Sequence, residues 1–388
     1  MNVVISAMGA VSAYGISIEA LHQGLLAARR SFREQPLFAD LKLKSGLVAT
    51  VADVPSSEQY SRSTAFALLA ADEAIKHLSP EERKTTAVIV GGTTAGMHKS
   101  ESCFLDPPFA GIHGLTPQLV KQHQVGETAA VVGKTYQLYG PRTTLVSACS
   151  SGLNAIILAK RWLQQNKVDR VLAIGTDSLC RLTFAGFASL NAIDHAGMRP
   201  FHRDRCGLTL GEGAAAFLIE REIAGKSFLA RILGTSLVGE AYHVTQPDPS
   251  GEGARRAMKL ALQQAQISPS AIDVVSAHAT GTRQNDSMEC AAIASLLGSK
   301  VTVTAQKSGL GHTLGAAGAL ELAASLLMLR HQIVYPTIGL TPETLDPACA
   351  GVQHVFAEPR PLVIHHLMKN SFAFGGQNSS LVMGRGEK

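Results

Sequence analysis

Thr144-Leu-Val-Ser-Ala-Cys149-Ser-Ser-Gly152 joins a short β-rich run to a helical pattern through a turn made of small residues. Residues 144–147 are predicted to form a strand, and the helical pattern covers residues 152–165. A similar order occurs later, where residues 301–304 lead through a glycine-rich turn into a helix predicted over 316–330. A strand that passes through a tight turn into a helix is typical of an α/β sheet protein. The chain is therefore predicted to repeat one α/β unit.

Strand and helix patterns alternate along the rest of the chain, which favours an α/β protein with covered sheets. Further strands are predicted over residues 2–6, 86–90, 170–174, 214–219, 228–233, 273–277 and 379–383. Further helices are predicted over residues 63–78, 252–265 and 287–297. Each half ends on an apolar strand, so we predict two units, residues 1–222 and residues 223–388. Residues 101–118 are rich in proline and glycine and are expected to form a cap loop.

The composition excludes several classes of protein. Of 388 residues, 46% are hydrophobic, 17% are charged and 36 are glycine, which is typical of a compact globular protein and excludes disorder, coiled coils and fibrous repeats. The net charge of +5 comes without a dense Lys/Arg block, so nucleic acid is not an expected partner. The most apolar later stretch, residues 314–329, contains Glu321 and is too short for a membrane span.

Cysteine usage and the start of the chain bear on the compartment. The chain has 6 cysteines and no CxxC spacing, which predicts free thiols in a cytoplasmic protein. The apolar start, residues 1–8, is compatible with a buried strand or with a signal peptide. No basic side chain precedes Arg29, so the basic region of a signal peptide is missing and the strand is favoured.

Cys149 is a candidate nucleophile because of its place between a strand and a helix. A thiol at that corner lies near the positive end of a helix dipole and near free backbone N–H groups. Both effects favour a thiolate and can hold a negatively charged oxygen. The alternative is an ordinary buried cysteine, with Ser150 or Ser151 capping the helix.

Two histidine segments follow in the second half. His278 ends the predicted strand 273–277, and it is either a site residue or a core histidine with satisfied hydrogen bonds. His312 lies in a glycine-rich loop that begins at Lys307 and leads into a helix containing Glu321. The loop does not match the GxGxxG dinucleotide pattern. A glutamate in an apolar helix is costly unless it is paired, and Lys307 is the expected partner.

The segment Asn370-Ser-Phe-Ala-Phe-Gly-Gly-Gln-Asn378 predicts a tight, mobile turn, or a hairpin that buries Phe372 and Phe374. Other chemistries are disfavoured. The histidines have neither HExxH nor Cys/His spacing, so no metal site is expected. No GxSxG motif is present, which argues against a serine hydrolase.

Taken together and in this order, these four segments resemble the β-ketoacyl-acyl carrier protein synthases, both the bacterial elongating type and the type II polyketide ketosynthases. Residues 199–207 and 210–213 also match the middle segment of that family, and the resemblance covers nearly the whole chain. It implies a thiolase fold, in which duplicated βαβαβαββ halves form a five-layer αβαβα arrangement, usually in a dimer.

The resemblance also implies site roles. Cys149 matches the acyl-accepting nucleophile, His278 and His312 match the decarboxylation and condensation pair, and Lys307 matches the residue that orients them. Further matches are supporting or substrate-binding residues: Glu321, Phe372, the gate Phe374, and Thr280 and Thr282 on the pantetheine arm. The backbone N–H groups of Cys149 and Phe374 would form an oxyanion hole.

The implied reaction is a decarboxylative Claisen condensation of malonyl-carrier protein with a Cys-bound acyl chain, in fatty-acid or polyketide biosynthesis. The expected partner is an acyl carrier protein, which brings its own phosphopantetheine, and no other cofactor is required. The alternative is a subunit that is active only in a heterodimer with a chain-length-factor-like homologue; a homodimer also fits the resemblance. A non-catalytic factor would lack the nucleophile, and a degradative thiolase would carry a second cysteine near Gly375.

Some positions depart from the family pattern. Ala279 stands where glycine is usual, Cys206 where aspartate is frequent and Gln377 where threonine is frequent. Residues 101–120 have no lysine or arginine, although the family often places basic residues that dock the carrier protein there. Arg62 or Lys121, or a partner subunit, could supply that charge. These departures favour a specialised pathway, with a polyene-type product as one candidate.

Overall fold

A computed structural model describes residues 2–36, 38, 45–54 and 57–386 of the chain. The strands of this described part are β1 Val3–Ser12, β2 Gly15–Ile16, β3 Arg33–Glu34, β4 Leu47–Val48, β5 Ala87–Gly91, β6 Arg142–Leu145, β7 Arg170–Asp177, β8 Gly213–Arg221, β9 Ala230–Gly239, β10 Val274–Ser276, β11 Thr302–Thr304, β12 Ile333–Val334, β13 Gln353–His354, β14 Arg360–Pro361, β15 His366–Ala373 and β16 Gln377–Arg385. Its α-helices are α1 Ile18–Leu26, α2 Arg62–Ile75, α3 Pro80–Thr85, α4 Met97–Ser100, α5 Ser102–Leu105, α6 Pro117–His123, α7 Gly126–Tyr136, α8 Ser151–Gln164, α9 Arg181–Ser189, α10 Glu252–Ala265, α11 Arg283–Leu297, α12 Lys307–Leu310 and α13 Ala317–His331.

The main sheet repeats one strand order twice. The order is β6-β5-β7-β8-β1 in the first half and β11-β10-β15-β16-β9 in the second, and β13 lies outside β11. In each half the first three strands of that order are parallel and the last two are antiparallel. Strands β1 and β9 pair at only two positions, which join the two half-sheets. The predicted duplication is therefore present in the topology as well as in the sequence.

Helices cover both faces of each half-sheet. Helices α2 and α7 pack on the outer face of the first half-sheet, and α10 and α11 enclose an apolar core on the outer face of the second. Helices α8 and α13 lie between the halves, because both contact strands of the first half-sheet and of the second. The order of layers is αβαβα, which is the thiolase fold that the resemblance implied.

The central layer is unusually tight where α8 crosses α13. A side chain on Gly152 would lie 2.8 Å from the Gly315 carbonyl oxygen, and one on Gly318 would lie 2.8 Å from Leu153 Cβ. On the neighbouring strand β7, a side chain on Gly175 would lie 2.5 Å from Ala319 Cβ. Helix α13 is buried from Ala317 to Leu329, as expected for a helix that is apolar on every side. Small residues therefore set how closely the two halves approach.

Most predicted elements are present with shifted ends. The predicted strand 144–147 is observed as β6, two residues earlier, and the predicted helix 252–265 coincides with α10. Strand β15 was not predicted, because Lys369, Asn370 and Ser371 give its middle a polar sequence although all three are buried. The cap loop contains α5 and a 3-10 turn at Gly111–Gly114. The division at residue 222 stays a prediction and falls between β8 and β9.

The tight central layer predicts that Gly175→Ala will lower the free energy of unfolding by about 1–3 kcal/mol, because a new methyl group in a filled space forces its neighbours apart. Gly239→Ala is the matched control, since Gly239 also lies in a strand and a methyl group there would have no atom of the described residues within 4 Å. Denaturant unfolding of the three proteins measures the difference. Equal stability of the two variants would contradict the proposed constraint.

Candidate active site

The predicted site residues converge on one cavity of about 580 Å³ that opens to the surface. Its lining includes Cys149, His278, His312, Thr280, Thr282, Phe372 and Phe374. Lys307 and Glu321 lie behind the histidines and are both buried. The structure thus brings together residues that are up to 225 positions apart in the sequence, because 374 − 149 = 225.

Cys149 lies in a strained turn between β6 and α8. Its neighbour Ala148 has a left-handed backbone with φ of 48°, a conformation that costs energy for any residue with a side chain. Hydrogen bonds hold the turn: Ser151 Oγ accepts from the Ser147 N–H at 2.9 Å and donates to the Ala148 carbonyl oxygen at 2.6 Å. Ser371 Oγ on β15 donates to the Cys149 carbonyl oxygen at 3.2 Å. The turn is thereby fixed to both halves of the molecule.

The Cys149 thiol is held as a thiol rather than a thiolate. Burial raises its pKa to about 11, and the Lys307 ammonium counteracts only part of that effect. The expectation of a resting thiolate is therefore wrong, because the loss of hydration outweighs the favourable charges around the sulfur. The backbone N–H groups of Cys149 and Phe374 both bond to the sulfur and lower its pKa. These are the two donors predicted for an oxyanion hole.

His278 follows β10 and is positioned through both its backbone and its ring. The carboxylate of Glu289 on α11 accepts from the backbone N–H groups of His278 and Ala279, each at 2.8 Å. Lys307 Nζ donates to the His278 carbonyl oxygen at 2.5 Å and lies 3.3 Å from His278 Nδ1. An ammonium group can only donate, so Nδ1 is the acceptor and the ring proton is on Nε2.

His312 is held in the same tautomer by a different donor. The backbone N–H of Leu314 donates to His312 Nδ1 at 3.0 Å, which again assigns the ring proton to Nε2. The two imidazoles are perpendicular, with centroids 5.7 Å apart. Burial and then the Lys307 charge hold both histidine pKa values well below their usual range. The site therefore offers two neutral imidazole N–H groups at neutral pH.

A buried charge cluster lies behind the histidines. Lys307 Nζ is 2.7 Å from one oxygen of Glu321, so the predicted pairing is present, and it is direct. The second oxygen of Glu321 is 2.7 Å from Lys369 Nζ on β15. All three side chains are at most 2% exposed. One carboxylate thus holds two ammonium groups, only one of which the sequence pattern identified.

Three polar residues of the site were missed at the level of sequence: Glu289, Lys369 and Asp177. Asp177 is fully buried at the end of β7 and accepts from the backbone N–H groups of Thr93, Thr94 and Gly315. Asp177 and Lys369 each interrupt an apolar run, and a charged residue inside a strand is a usable signal because it must be paired when buried. Glu289 lies in a helix of mixed polarity, where the sequence gives no comparable signal.

The mouth of the cavity carries the remaining predicted residues. Thr280 Oγ1 and Thr282 Oγ1 are 2.9 Å apart and both line the channel. Phe374 is partly exposed and contacts the Phe187 ring, with centroids 5.7 Å apart, whereas the Phe372 ring is buried beside His278. The hairpin alternative is thus also present, since β15 and β16 pair on either side of these residues. Among the described residues no cluster of histidine, cysteine and carboxylate side chains could hold a metal ion.

The raised pKa predicts how Cys149 will react with iodoacetamide, which requires the thiolate. The alkylation rate at Cys149 should rise about tenfold per pH unit from pH 7 to pH 10, because the thiolate fraction grows tenfold per unit below the pKa. Lys307→Met should slow the reaction at each pH by removing the nearest stabilising charge. Peptide mass spectrometry resolves Cys149 from the exposed Cys206, which serves as an internal control. A plateau below pH 8 would contradict the assignment.

Comparison with known proteins agrees along the whole chain. Residues 1–224 match the sequence model of the beta-ketoacyl synthase N-terminal domain, and residues 229–341 match that of its C-terminal domain. The 3-oxoacyl-[acyl-carrier-protein] synthase 2 of Coxiella burnetii is 33% identical over 410 residues, covering 99% of this chain and 98% of that protein. Two solved structures each cover 99% of this chain and are covered to 99%: the ishigamide ketosynthase/chain length factor, with a TM-score of 0.92 at 30% identity, and a type II polyketide synthase acyl-carrier protein in complex with its ketosynthase, with a TM-score of 0.91 at 26% identity. The chain belongs to the beta-ketoacyl synthase family.

Proposed function

We propose that this chain catalyses the decarboxylative Claisen condensation of a malonyl-carrier protein with an acyl chain bound to Cys149. The observation that carries the proposal is a thiol that shares one cavity with two histidines, each assigned as a neutral Nε2–H donor. Acyl transfer needs the nucleophile, and decarboxylation needs donors for a developing enolate. The membership of the family supports the same reaction.

In the first half-reaction Cys149 takes the acyl chain. The sulfur attacks the carbonyl carbon of the acyl thioester, and the oxyanion that forms accepts hydrogen bonds from the backbone N–H groups of Cys149 and Phe374. The pantetheine thiolate leaves as the carbonyl is restored. Because Cys149 begins as a thiol, its proton ends on the departing pantetheine sulfur, so no external base is consumed.

In the second half-reaction the malonyl thioester loses its carboxylate as CO2. The electron pair of the broken C–C bond moves into an enolate, whose oxygen the Nε2–H groups of His278 and His312 stabilise. Neutral imidazoles suit this step, because an imidazolium could hand its proton to the carbanion and quench it. The histidines therefore act as hydrogen-bond donors that keep their protons.

Condensation follows when the enolate carbon attacks the Cys149 thioester. A new C–C bond forms, the Cys149 thiolate leaves, and the product is a 3-ketoacyl thioester two carbons longer on the carrier. The released thiolate takes a proton, which restores the resting thiol. Burial of the site limits competition from water for the carbanion.

The carrier protein is proposed to dock at the mouth of the cavity, with Thr280 and Thr282 contacting the pantetheine arm. Of the two cations expected to guide it, Arg62 is committed elsewhere, since its guanidinium holds the buried carboxylate of Glu212. Lys121 is 62% exposed and pairs with Glu127 at 3.4 Å, which leaves it accessible. Arg283 is exposed and lines the cavity itself, so it is a better placed candidate than Arg62.

We propose that the working unit is a dimer. Strand β6 is an outer strand of the sheet and the exposed Val146 follows it, so a second chain could continue the sheet at this edge. A homodimer is the simpler arrangement. A heterodimer with a chain-length-factor-like homologue is the second candidate, supported by the likeness to the ishigamide ketosynthase/chain length factor.

The pathway and compartment are proposed on narrower grounds. The likeness to proteins of both fatty-acid and polyketide synthesis supports either pathway, and the sequence departures favour a specialised product of polyene type. A cytoplasmic location agrees with six cysteines that are all free. In the part of the chain that the structure describes, no helix is long and apolar enough to cross a bilayer.

Loading of Cys149 tests the proposed function directly. Mixing the purified chain with a panel of acyl-carrier proteins should add one acyl mass to the intact protein, and Cys149→Ala should gain none. The matched control is Cys180→Ala, which removes another buried thiol that does not line the cavity. If the wild type gains no mass either alone or with a co-purified homologue, the chain is not an acyl-accepting synthase.

His312→Ala should separate the two half-reactions. Loss of one enolate donor is expected to slow malonyl decarboxylation about 100-fold or more, while acylation of Cys149 stays within a few-fold of wild type. Release of CO2 from malonyl-carrier protein measures the first quantity, and intact-protein mass measures the second. A larger loss of acylation than of decarboxylation would mean that His312 serves the nucleophile instead.

A further inference from the structure

Lys369 is a fully buried lysine with no place in the reaction described above. It lies in the middle of β15, and its Nζ is 2.7 Å from Glu321 Oε2. The same Nζ donates to the carbonyl oxygens of Ser276 and Ala277, each at 3.3 Å, and to that of Asn370. Burying an ammonium group is expensive unless it is paired, and here every nearby partner belongs to the segment or the cluster behind His278.

Two mechanical links run from Lys369 to the histidine. The first holds the end of β10, since Ser276 and Ala277 directly precede His278. The second runs through Glu321, which Lys369 holds by one oxygen while the other binds Lys307, the donor that fixes the His278 tautomer. Removing Lys369 would leave Glu321 with a free oxygen and freedom to rotate away from Lys307.

We propose that Lys369 is a positioning residue that fixes the Glu321–Lys307 pair against His278 and keeps the histidine pair neutral during condensation. This inference rests on the proposed function. The cluster of two lysines and one glutamate has a net charge of +1 when all are ionised, and that charge opposes protonation of the imidazoles beside it. Without Lys369 the cluster would be neutral.

The other charged groups around the histidines do not replace this charge. Burial and Lys307 are the main causes that lower the pKa of both rings, and Lys369 acts in the same direction on each. Glu289 faces the His278 backbone from α11 and opposes the lysines. Asp177, which bonds to Gly315 near His312, also opposes them, while Cys149 is neutral. Among these groups, the lysines are the cations that hold the rings neutral.

Lys369→Met tests the proposal, because it preserves most of the volume and removes the charge. The readout is coupling, the fraction of decarboxylated malonyl groups that end in the condensed product rather than as the protonated acetyl thioester. In the wild type this fraction falls at low pH as the histidines protonate. In Lys369→Met the fall should lie about one pH unit higher, and the decarboxylation rate at neutral pH should drop about tenfold.

A double variant keeps the test sharp. Lys369→Met with Glu321→Gln returns the cluster to +1 through Lys307 alone, so the pH at which coupling falls should move back toward the wild-type value even though the rate stays low. Lys160→Met is the matched control. Lys160 is another buried lysine, bonded to the Leu233 carbonyl oxygen and to Gln264, and it does not line the cavity.

The outcomes separate this inference from the proposed function. If the wild type neither loads an acyl chain nor releases CO2, the proposed function fails. If the wild type does both and a folded Lys369→Met shows the wild-type rate and coupling profile, the inference about Lys369 is overturned while the function stands. If circular dichroism shows that neither Lys369 variant folds, the residue serves stability alone, which also overturns the inference.

Discussion

The close crossing of α8 and α13 is the constraint on which the rest of the structure depends. Each helix follows one of the reactive residues, since Cys149 precedes α8 and His312 precedes α13. The two helices can approach only because Gly152 and Gly318 leave room for each other's backbone and side chains. The duplicated topology brings the two helices into one central layer, and this contact brings the two turns together. The cavity is a consequence of that meeting.

The site uses burial to keep its reactive groups uncharged. The same loss of hydration raises the pKa of the thiol and lowers the pKa of both imidazoles, so nucleophile and donors are all neutral at rest. The charges that remain are collected behind the histidines, where Glu321 is shared between two lysines. Charge then develops only in the reacting groups, next to donors that are already in place.

The sequence carried much of the fold and of the site, and the limits of what it carried are physical. The duplication, the central helices and the places of Cys149, His278 and His312 could be predicted because strand, turn and helix follow one another locally. Glu321 could be paired with Lys307 because a buried carboxylate demands a partner. Strand β15 could not be predicted, since its buried Lys369, Asn370 and Ser371 are satisfied by groups far away in the sequence. The state of the thiol was predicted wrongly, because its pKa depends on how deeply the completed fold buries it.

The strained turn that presents Cys149 also bears on how the protein ages. Peroxide and other oxidants attack thiolates far faster than thiols, and the products beyond the sulfenic acid are not readily reversed. A sulfur that is 7% exposed and protonated between turnovers is therefore shielded from such damage for most of its lifetime. It becomes a thiolate only at the moment when condensation releases it, inside a cavity still occupied by the product. Chemical durability and catalytic readiness thus come from the same burial.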